Sequence, residues 1–206
     1  MPARSAEYMD DMRERILAAA SQCLAEKGLS TASLTDVCEA AKISRGALYV
    51  HFRSKSEMLC ALVERSIKRQ AVKAAFDDAA TLRELLVKEY GFTSSDDRNM
   101  LYSEVEFLAA ARTDEPLREV IRRSIDARAE RFRTGIRGLR KRGELRDDLS
   151  EESAAVMLGW FFEGTLNLRF GTAASEAVYI EAVDRLLSGM VKPKVLHALI
   201  QAAASA

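Results

Sequence analysis

The chain has 206 residues, of which 48% are hydrophobic, with a formal net charge of +0, 3 Pro and 10 Gly. This length and composition predict one or two helical domains with a sizeable core. No uncharged apolar run approaches the roughly 20 residues that span a bilayer, and residues 1–16 lack the apolar segment of a signal peptide. We therefore expect a cytoplasmic protein with no membrane partner.

The three cysteines are odd in number and have neither metal-ligand nor redox-motif spacing. They are typical of small core residues in a reduced protein, and a thiol sensor is the less favoured alternative. The first of them, Cys23, lies in a predicted helix from about residue 8 to Gly28. Ile16, Leu17, Ala20 and Leu24 form the inward face of this helix together with Cys23.

Residues 33–59 read SLTDVCEAAKISRGALYVHFRSKSEML and predict two short helices joined by a tight turn, then the start of a third. Ser33 with Asp36, and Ser54 with Glu57, have the spacing of capping boxes. The small pair Ala40 and Ala41 would allow two helices to cross closely. Such a pair is the helix-turn-helix that presents its second helix to the DNA major groove.

The second short helix carries the side chains that suit DNA. Arg45 suits a guanine edge, Ala47 and Val50 suit a thymine methyl, and Lys55 can donate to a phosphate, as can Tyr49 and His51. Residues 42–69 hold seven Lys or Arg and two Glu, so positive charge is concentrated here in a neutral chain. The predicted DNA-binding residues are Ser33, Thr35, Ser44, Arg45, Gly46, Ala47, Tyr49, Val50, His51 and Lys55.

At these residues the sequence resembles the TetR family of transcriptional regulators. The resemblance covers RERILAAASQCLAEKGLS (13–30), SLTDVCEAAKISRGALYVHF (33–52) and KSEML (55–59). Lys42 stands where the family usually has Gly, and Cys38 where it usually has Ala. Lys42 either keeps the left-handed turn, at about 1–2 kcal/mol, or the turn is remodelled.

Further helices are predicted near 55–78, 81–92, 96–112, 115–142, 151–170 and 174–191, followed by a short amphipathic piece after Pro193. The long helix from residue 55 would connect two domains. We therefore expect an all-α protein with a three-helix helix-turn-helix DNA-binding domain at 1–55. A helical ligand-binding and dimerisation domain would occupy 56–206.

Residues 153–170 are apolar on nearly every face, so this helix must be covered on two sides. We expect Val156, Trp160 and Asn167 to face the core, and Leu158 and Phe162 to lie on the exposed side. Pairing with residues 174–191 of each subunit would form a four-helix interface, as the resemblance also implies. The alternative is a buried helix in a monomer. The predicted homodimer interface comprises Phe161, Thr165, Leu168, Val183, Leu187 and Met190.

The resemblance also implies a small-molecule effector held among the central helices. Met and aromatic side chains suit such a pocket, although at helical spacing they are more often plain core. The candidate effector-binding residues are Met100, Leu101, Glu104, Phe107, Phe132 and Trp160. The expected function is a dimeric, ligand-responsive regulator of operator DNA, most often a repressor. A constitutive helix-turn-helix adaptor without a ligand is the alternative.

An enzyme, a cofactor and a metal site have little support in the sequence. The two histidines have no nucleophile or carboxylate at motif spacing, and no glycine pattern suits a phosphate. The arginines of residues 118–142 point all around a predicted helix and have Glu partners at helical spacing. This pattern favours a solvated, salt-bridged helix over a second nucleic-acid surface.

Overall fold

The computed structural model describes residues 6–73, 76–89, 106–168 and 175–204, and within these ranges every regular element is helical. The expected all-α fold is confirmed. The helices are α1 (Ala6–Lys27), α2 (Leu34–Ala41), α3 (Arg45–His51), α4 (Lys55–Lys73), α5 (Ala79–Glu84), α6 (Glu115–Lys141), α7 (Glu151–Leu168), α8 (Glu176–Met190) and α9 (Pro193–Ala204). A π-helical turn, Leu85–Glu89, continues α5, and residues 106–110 are also helical. Across these ranges no helix is both long and apolar enough to cross a membrane.

Two packing units divide the chain. Of the described residues, unit 1 contains 6–69 and 106–125, and unit 2 contains the rest. The apolar core of unit 1 joins side chains of α1 to α4 with Ala111 and Leu117. The packing units therefore do not follow the expected division at residue 55, and the assignment of functions to segments 1–55 and 56–206 stays a prediction.

The second unit is built around α6 and α7. Buried side chains include Phe132, Ile136, Leu139, Leu158 and Phe162, and the Phe132 and Phe162 rings meet edge to face with centroids 5.9 Å apart. Helix α5 packs against α8 and α9. Between α5 and α8, Arg83 binds Asp184 through two hydrogen bonds of 2.7 and 3.1 Å, and this pairing raises the pKa of Arg83.

Phe76 and Asp77 lie directly against α6 at two glycines. A Cβ atom on Gly135 would stand 2.2 Å from the Phe76 ring, so only glycine admits this buried ring. Arg142 also donates to the Asp77 carbonyl at 3.0 Å, and Glu144 accepts from the amide of Ala79 at 2.8 Å. These contacts attach the chain that follows α4 to α6 within unit 2.

Candidate nucleic-acid interface

Local hydrogen bonds set the ends of α2 and α3 as the sequence predicts. Ser33 and Asp36 form a capping box, in which the Ser33 amide donates to the Asp36 carboxylate at 2.7 Å. The Ser44 hydroxyl accepts from the amide of Ala47 at 3.1 Å and begins α3. At the start of α4, Ser54 accepts from the amide of Glu57, whose carboxylate binds the amide of Arg53 rather than that of Ser54.

Asp36 also binds a cation outside its own helix. The Lys27 ammonium donates to its carboxylate and is the largest cause that holds the pKa of Asp36 well below its usual range. The hydroxyl and amide of Ser33 lower this pKa further. The carboxylate is therefore ionised at neutral pH, and it connects the end of α1 to the start of α2.

Lys42 ends α2 in the left-handed conformation, with φ of 54° and ψ of 50°. Within the described ranges it is the one non-glycine residue with positive φ. Its amide donates to the carbonyls of Cys38 and Glu39, so these hydrogen bonds satisfy the end of the helix. Lys42 therefore keeps the turn that glycine usually makes.

A Lys42→Gly variant is expected to be as stable as the wild type or slightly more stable. Relief of the strained left-handed conformation should raise the free energy of unfolding by about 1–2 kcal/mol. The greater freedom of glycine in the unfolded chain should lower it by about 0.5–1 kcal/mol. The urea midpoint at unchanged m-value measures the difference. Lys42→Ala is the control, because it removes the same side chain and keeps the strain. A Gly variant less stable than the Ala variant would contradict the prediction.

Two arginines of α1 bind the last carbonyls of the helix pair. Arg13 donates to the carbonyl of His51 at 2.9 Å, and its guanidinium lies 4.2 Å from the centroid of the buried Phe52 ring. Arg15 donates to the carbonyl of Ala41 at 3.3 Å. Helix C-termini have unsatisfied carbonyls and partial negative charge, so both cations stabilise the ends of α2 and α3. These contacts hold the pair against α1.

The exposed face of α3 contains Arg45, Gly46, Tyr49 and Val50, with Ala47 half-buried beside them. Val50 is 65% exposed, so its methyl groups are accessible for contact with a thymine methyl. The structure therefore brings five of the predicted DNA-binding residues onto one surface. Ser33, Thr35 and Ser44 are exposed at the starts of α2 and α3.

His51 and Lys55 do not belong to this exposed face. His51 is buried, because a residue three positions after the buried Leu48 returns to the inner side of the helix. The Lys55 ammonium donates to the carbonyls of Leu29 and Ala32, at 2.6 Å each. Two of its three protons are thus used inside unit 1, and the expectation of a phosphate-binding Lys55 does not fit this geometry.

Two cations outside the predicted DNA-binding set are exposed near α3 and are candidates for phosphate contact. Lys42 is exposed in the turn between α2 and α3, and Arg53 is exposed just after α3. Their positions in the motif were visible in the sequence, but which cations point outward depends on packing. Ala40, expected to lie at the helix crossing, is exposed, whereas Ala41 is buried.

Three of the six residues predicted for an effector site lie within the described residues. Met100, Leu101 and Glu104 lie outside the described residues. Phe107 packs against the core of unit 1, whereas Phe132 is buried in unit 2. Trp160 is 75% exposed and so does not line the interior of its own subunit.

The expected dimer face of α7 is reversed in the structure. Leu158 and Phe162 are buried, whereas Val156 and Trp160 are exposed. Val183, Leu187 and Met190 of α8 are fully buried in their own unit, and Phe161 packs on Tyr179 at a centroid distance of 6.2 Å. The side chains of Thr165 and Leu168 lie outside the described set. The sequence of α7 does not show which side is buried, because it is apolar on nearly every face.

All three thiols are at least partly shielded from solvent. Cys23 and Cys38 are buried and Cys60 is half-buried, and burial raises the pKa of each thiol. A raised pKa keeps a thiol protonated and unreactive at neutral pH, which favours a packing role. In the described part of the chain, no three His, Cys, Asp or Glu residues are grouped as metal ligands.

Comparisons with known proteins agree with this geometry. Residues 16–62, from α1 into α4, match the family model described as bacterial regulatory proteins, tetR family. The repressor BepR of Brucella suis biovar 1 (strain 1330) is 30% identical over 169 residues, 76% of this chain and 79% of BepR. The regulator AcrR of Shigella flexneri is also 30% identical, but that match spans only about half of each chain, 52% and 53%.

A solved SmeT–triclosan complex shares the fold with a TM-score of 0.75 and 26% identity, covering 90% of this chain and 94% of that one. BepR and AcrR are both named as regulators of transcription, which indicates a DNA-binding role.

Proposed function

Since this chain belongs to the TetR family of transcriptional regulators, we propose that it is a homodimeric repressor that binds operator DNA through α3 and releases it when a small effector binds. The observation that carries the proposal is the exposed face of α3 on a helix pair whose ends are fixed by Arg13 and Arg15. A rigid support allows side chains to read bases without an ordering penalty at binding.

In this proposal, base reading depends on the first and last turns of α3. Arg45 donates to the O6 and N7 atoms of a guanine, and Val50 contacts a thymine methyl. Tyr49, Lys42 and Arg53 donate to phosphates and set the register, a role that carries no sequence information. Buried His51 and internally bonded Lys55 are left out of this set.

A homodimer is supported by exposed apolar side chains on α7 and α8. Val156, Trp160 and Val178 are each more than two-fifths exposed, and a Cβ on Gly159 would meet nothing within 4 Å. Open space at a glycine beside an exposed tryptophan suits close approach of a second helix. One helix-turn-helix contacts few bases, and two related by a two-fold axis read an inverted repeat.

Effector binding is proposed for unit 2. Its buried aromatic side chains, Phe76, Phe132 and Phe162, would supply apolar contacts for an effector, and the relative SmeT was solved with triclosan. Met100, Leu101 and Glu104 remain candidate effector-binding residues. Trp160 is assigned to the dimer interface instead, because it is exposed. The effector would act through its difference in affinity between the DNA-competent and DNA-incompetent states. The name of BepR supports repression as the direction of control.

The test is selection of bound sequences from a pool of random double-stranded DNA by the full-length protein. We expect enrichment of an inverted repeat whose half-site centres are roughly 34–36 Å apart, or a multiple of that distance. Failure to enrich any sequence would overturn the DNA-binding role, and a motif without two-fold symmetry would overturn the dimer. A library of small molecules is then screened for release of the selected DNA. If no compound causes release, the ligand-free adaptor is favoured.

A further inference from the structure

A carboxylate from the chain segment before α6 binds the loop that leads into α2. The amide of Leu29 donates to Glu106 Oε2 at 2.7 Å, across 77 residues of sequence. Leu29 is buried, so its amide has little access to water, and the carboxylate satisfies it. The hydrogen bond therefore fixes the position of this loop relative to residues 106–110.

Gly28 provides the space that the carboxylate occupies. Its φ is +77°, and a Cβ atom there would stand 2.9 Å from Glu106 Oε1. A side chain at residue 28 would thus be both strained and in collision with Glu106. Glycine at this position therefore allows both the backbone conformation that ends α1 and the close approach of the Glu106 carboxylate.

The same loop is held from its other side by Lys55, the first residue of α4. Lys55 donates to the carbonyl of Leu29, whose amide binds Glu106, and to the carbonyl of Ala32. Ala32 directly precedes Ser33, the N-cap of α2. The entry to the helix-turn-helix is therefore fixed between Glu106 and Lys55.

The turn that follows the helical residues 106–110 is hydrogen-bonded to α6. The carbonyls of Ala111 and Arg112, which follow the helical residues 106–110, accept from Arg118 at 3.0 and 3.1 Å. Asp114 accepts from the amide of Leu117 at 3.0 Å and so caps α6. Helix α6 continues without a break to Lys141, and its residues from Asp126 onward belong to unit 2. The turn at 111–114 thus joins the Glu106 contact to the first turns of α6, within unit 1.

We propose that Glu106 is a positioning residue for DNA binding, which couples the entry of the helix-turn-helix to α6 through the Leu29 amide. This inference rests on the DNA-binding role proposed above. The contact between Glu106 and Leu29 connects the helix-turn-helix to α6 without passing along α4, because it reaches the loop before α2 directly. The conformation of α6 then sets the orientation in which α2 and α3 meet DNA.

The test compares Glu106→Ala with Glu106→Gln in the full-length dimer, using the DNA selected by the wild type. Both variants remove one negative charge, so their difference reports the hydrogen bond and not the electrostatic attraction to DNA. Gln retains an oxygen that accepts from Leu29, whereas Ala leaves the buried amide unsatisfied. We expect Ala to weaken binding by about tenfold and Gln by less than about threefold.

Hydrogen exchange distinguishes coupling through Glu106 from a purely structural role of this residue. Coupling is reciprocal, so DNA binding should slow exchange of the Leu29 amide and of residues 106–112 in the wild type, and should leave residues 106–112 unchanged in Glu106→Ala. Wild-type affinity of the Ala variant, or equal losses in Ala and Gln, would overturn the proposal. Absence of any selected DNA with the wild type would instead refute the proposed function.

A second pair of variants covers the case in which Glu106→Ala does not fold. Gly28→Ala displaces the carboxylate while Glu106 remains, and it should weaken DNA binding by a similar factor. In a Glu106→Gln background the two changes should be less than additive, because they act on one contact. Full additivity of their effects on DNA affinity would count against the coupling.

Discussion

A Trp160→Glu variant is expected to sediment as a monomer and to lose roughly 100-fold or more in operator affinity. Trp160 is 75% exposed on α7, beside exposed Val156 and open Gly159. At a two-fold interface the substitution buries an unpaired carboxylate twice, which opposes association. A monomer then binds one half-site and loses the avidity of two linked modules, which ranges from about 10² to 10⁴.

The matched control is Ile200→Glu. Ile200 is an exposed apolar residue of the same packing unit, but it lies in α9, outside α7 and α8. This variant should remain a dimer and bind operator as the wild type does. Analytical ultracentrifugation and fluorescence anisotropy measure both properties. A dimeric Trp160→Glu protein would place the interface elsewhere, and a monomeric variant with wild-type affinity would separate dimerisation from DNA recognition.

Arg45→Ala is expected to relax base preference at one position of each half-site and to weaken operator binding by about 1–3 kcal/mol per half-site. In a dimer the loss occurs twice. Arg45 is exposed at the start of α3, whose N-cap is Ser44, so its removal should leave the fold unchanged. Competition between operator and single-base variants measures the preference at each position.

Arg53→Ala provides the comparison for a phosphate contact. It should weaken binding to operator and random DNA alike, and reduce the slope of log affinity against log salt by about one unit per half-site. If Arg45→Ala gives this uniform pattern, Arg45 binds backbone and not base. If Arg53→Ala changes the base preference, Arg53 belongs to the reading face.

The helix-turn-helix was predictable from the sequence because its signals are local. The capping box at Ser33 and the cap at Ser44 depend on residues three apart, and the burial of Leu48 and Phe52 follows from helical spacing. The exposed positions Arg45, Tyr49 and Val50 follow from the same periodicity. His51 was assigned to the wrong face because the inner side of this short helix is wider than the stripe formed by Leu48 and Phe52.

Helix α7 shows where periodicity fails. Its residues are apolar on nearly every face, so the pattern does not distinguish the side that faces its own unit from the exposed side. Only packing determines that Leu158 and Phe162 are inside and that Trp160 is outside. The same limit applies to Val183, Leu187 and Met190 of α8, which packing buries completely within their own unit.

By itself, then, the sequence determined the helical class, the DNA-reading motif and its caps, since hydrogen bonds and spacings within one or two turns specify them. The tertiary structure decided which cations point outward and what holds the motif. Arg13, Lys55 and Glu106 act through contacts 38, 26 and 77 residues away in sequence. Such contacts form only when the helices pack, so spacing along a helix does not predict which carbonyl or amide each of these side chains binds.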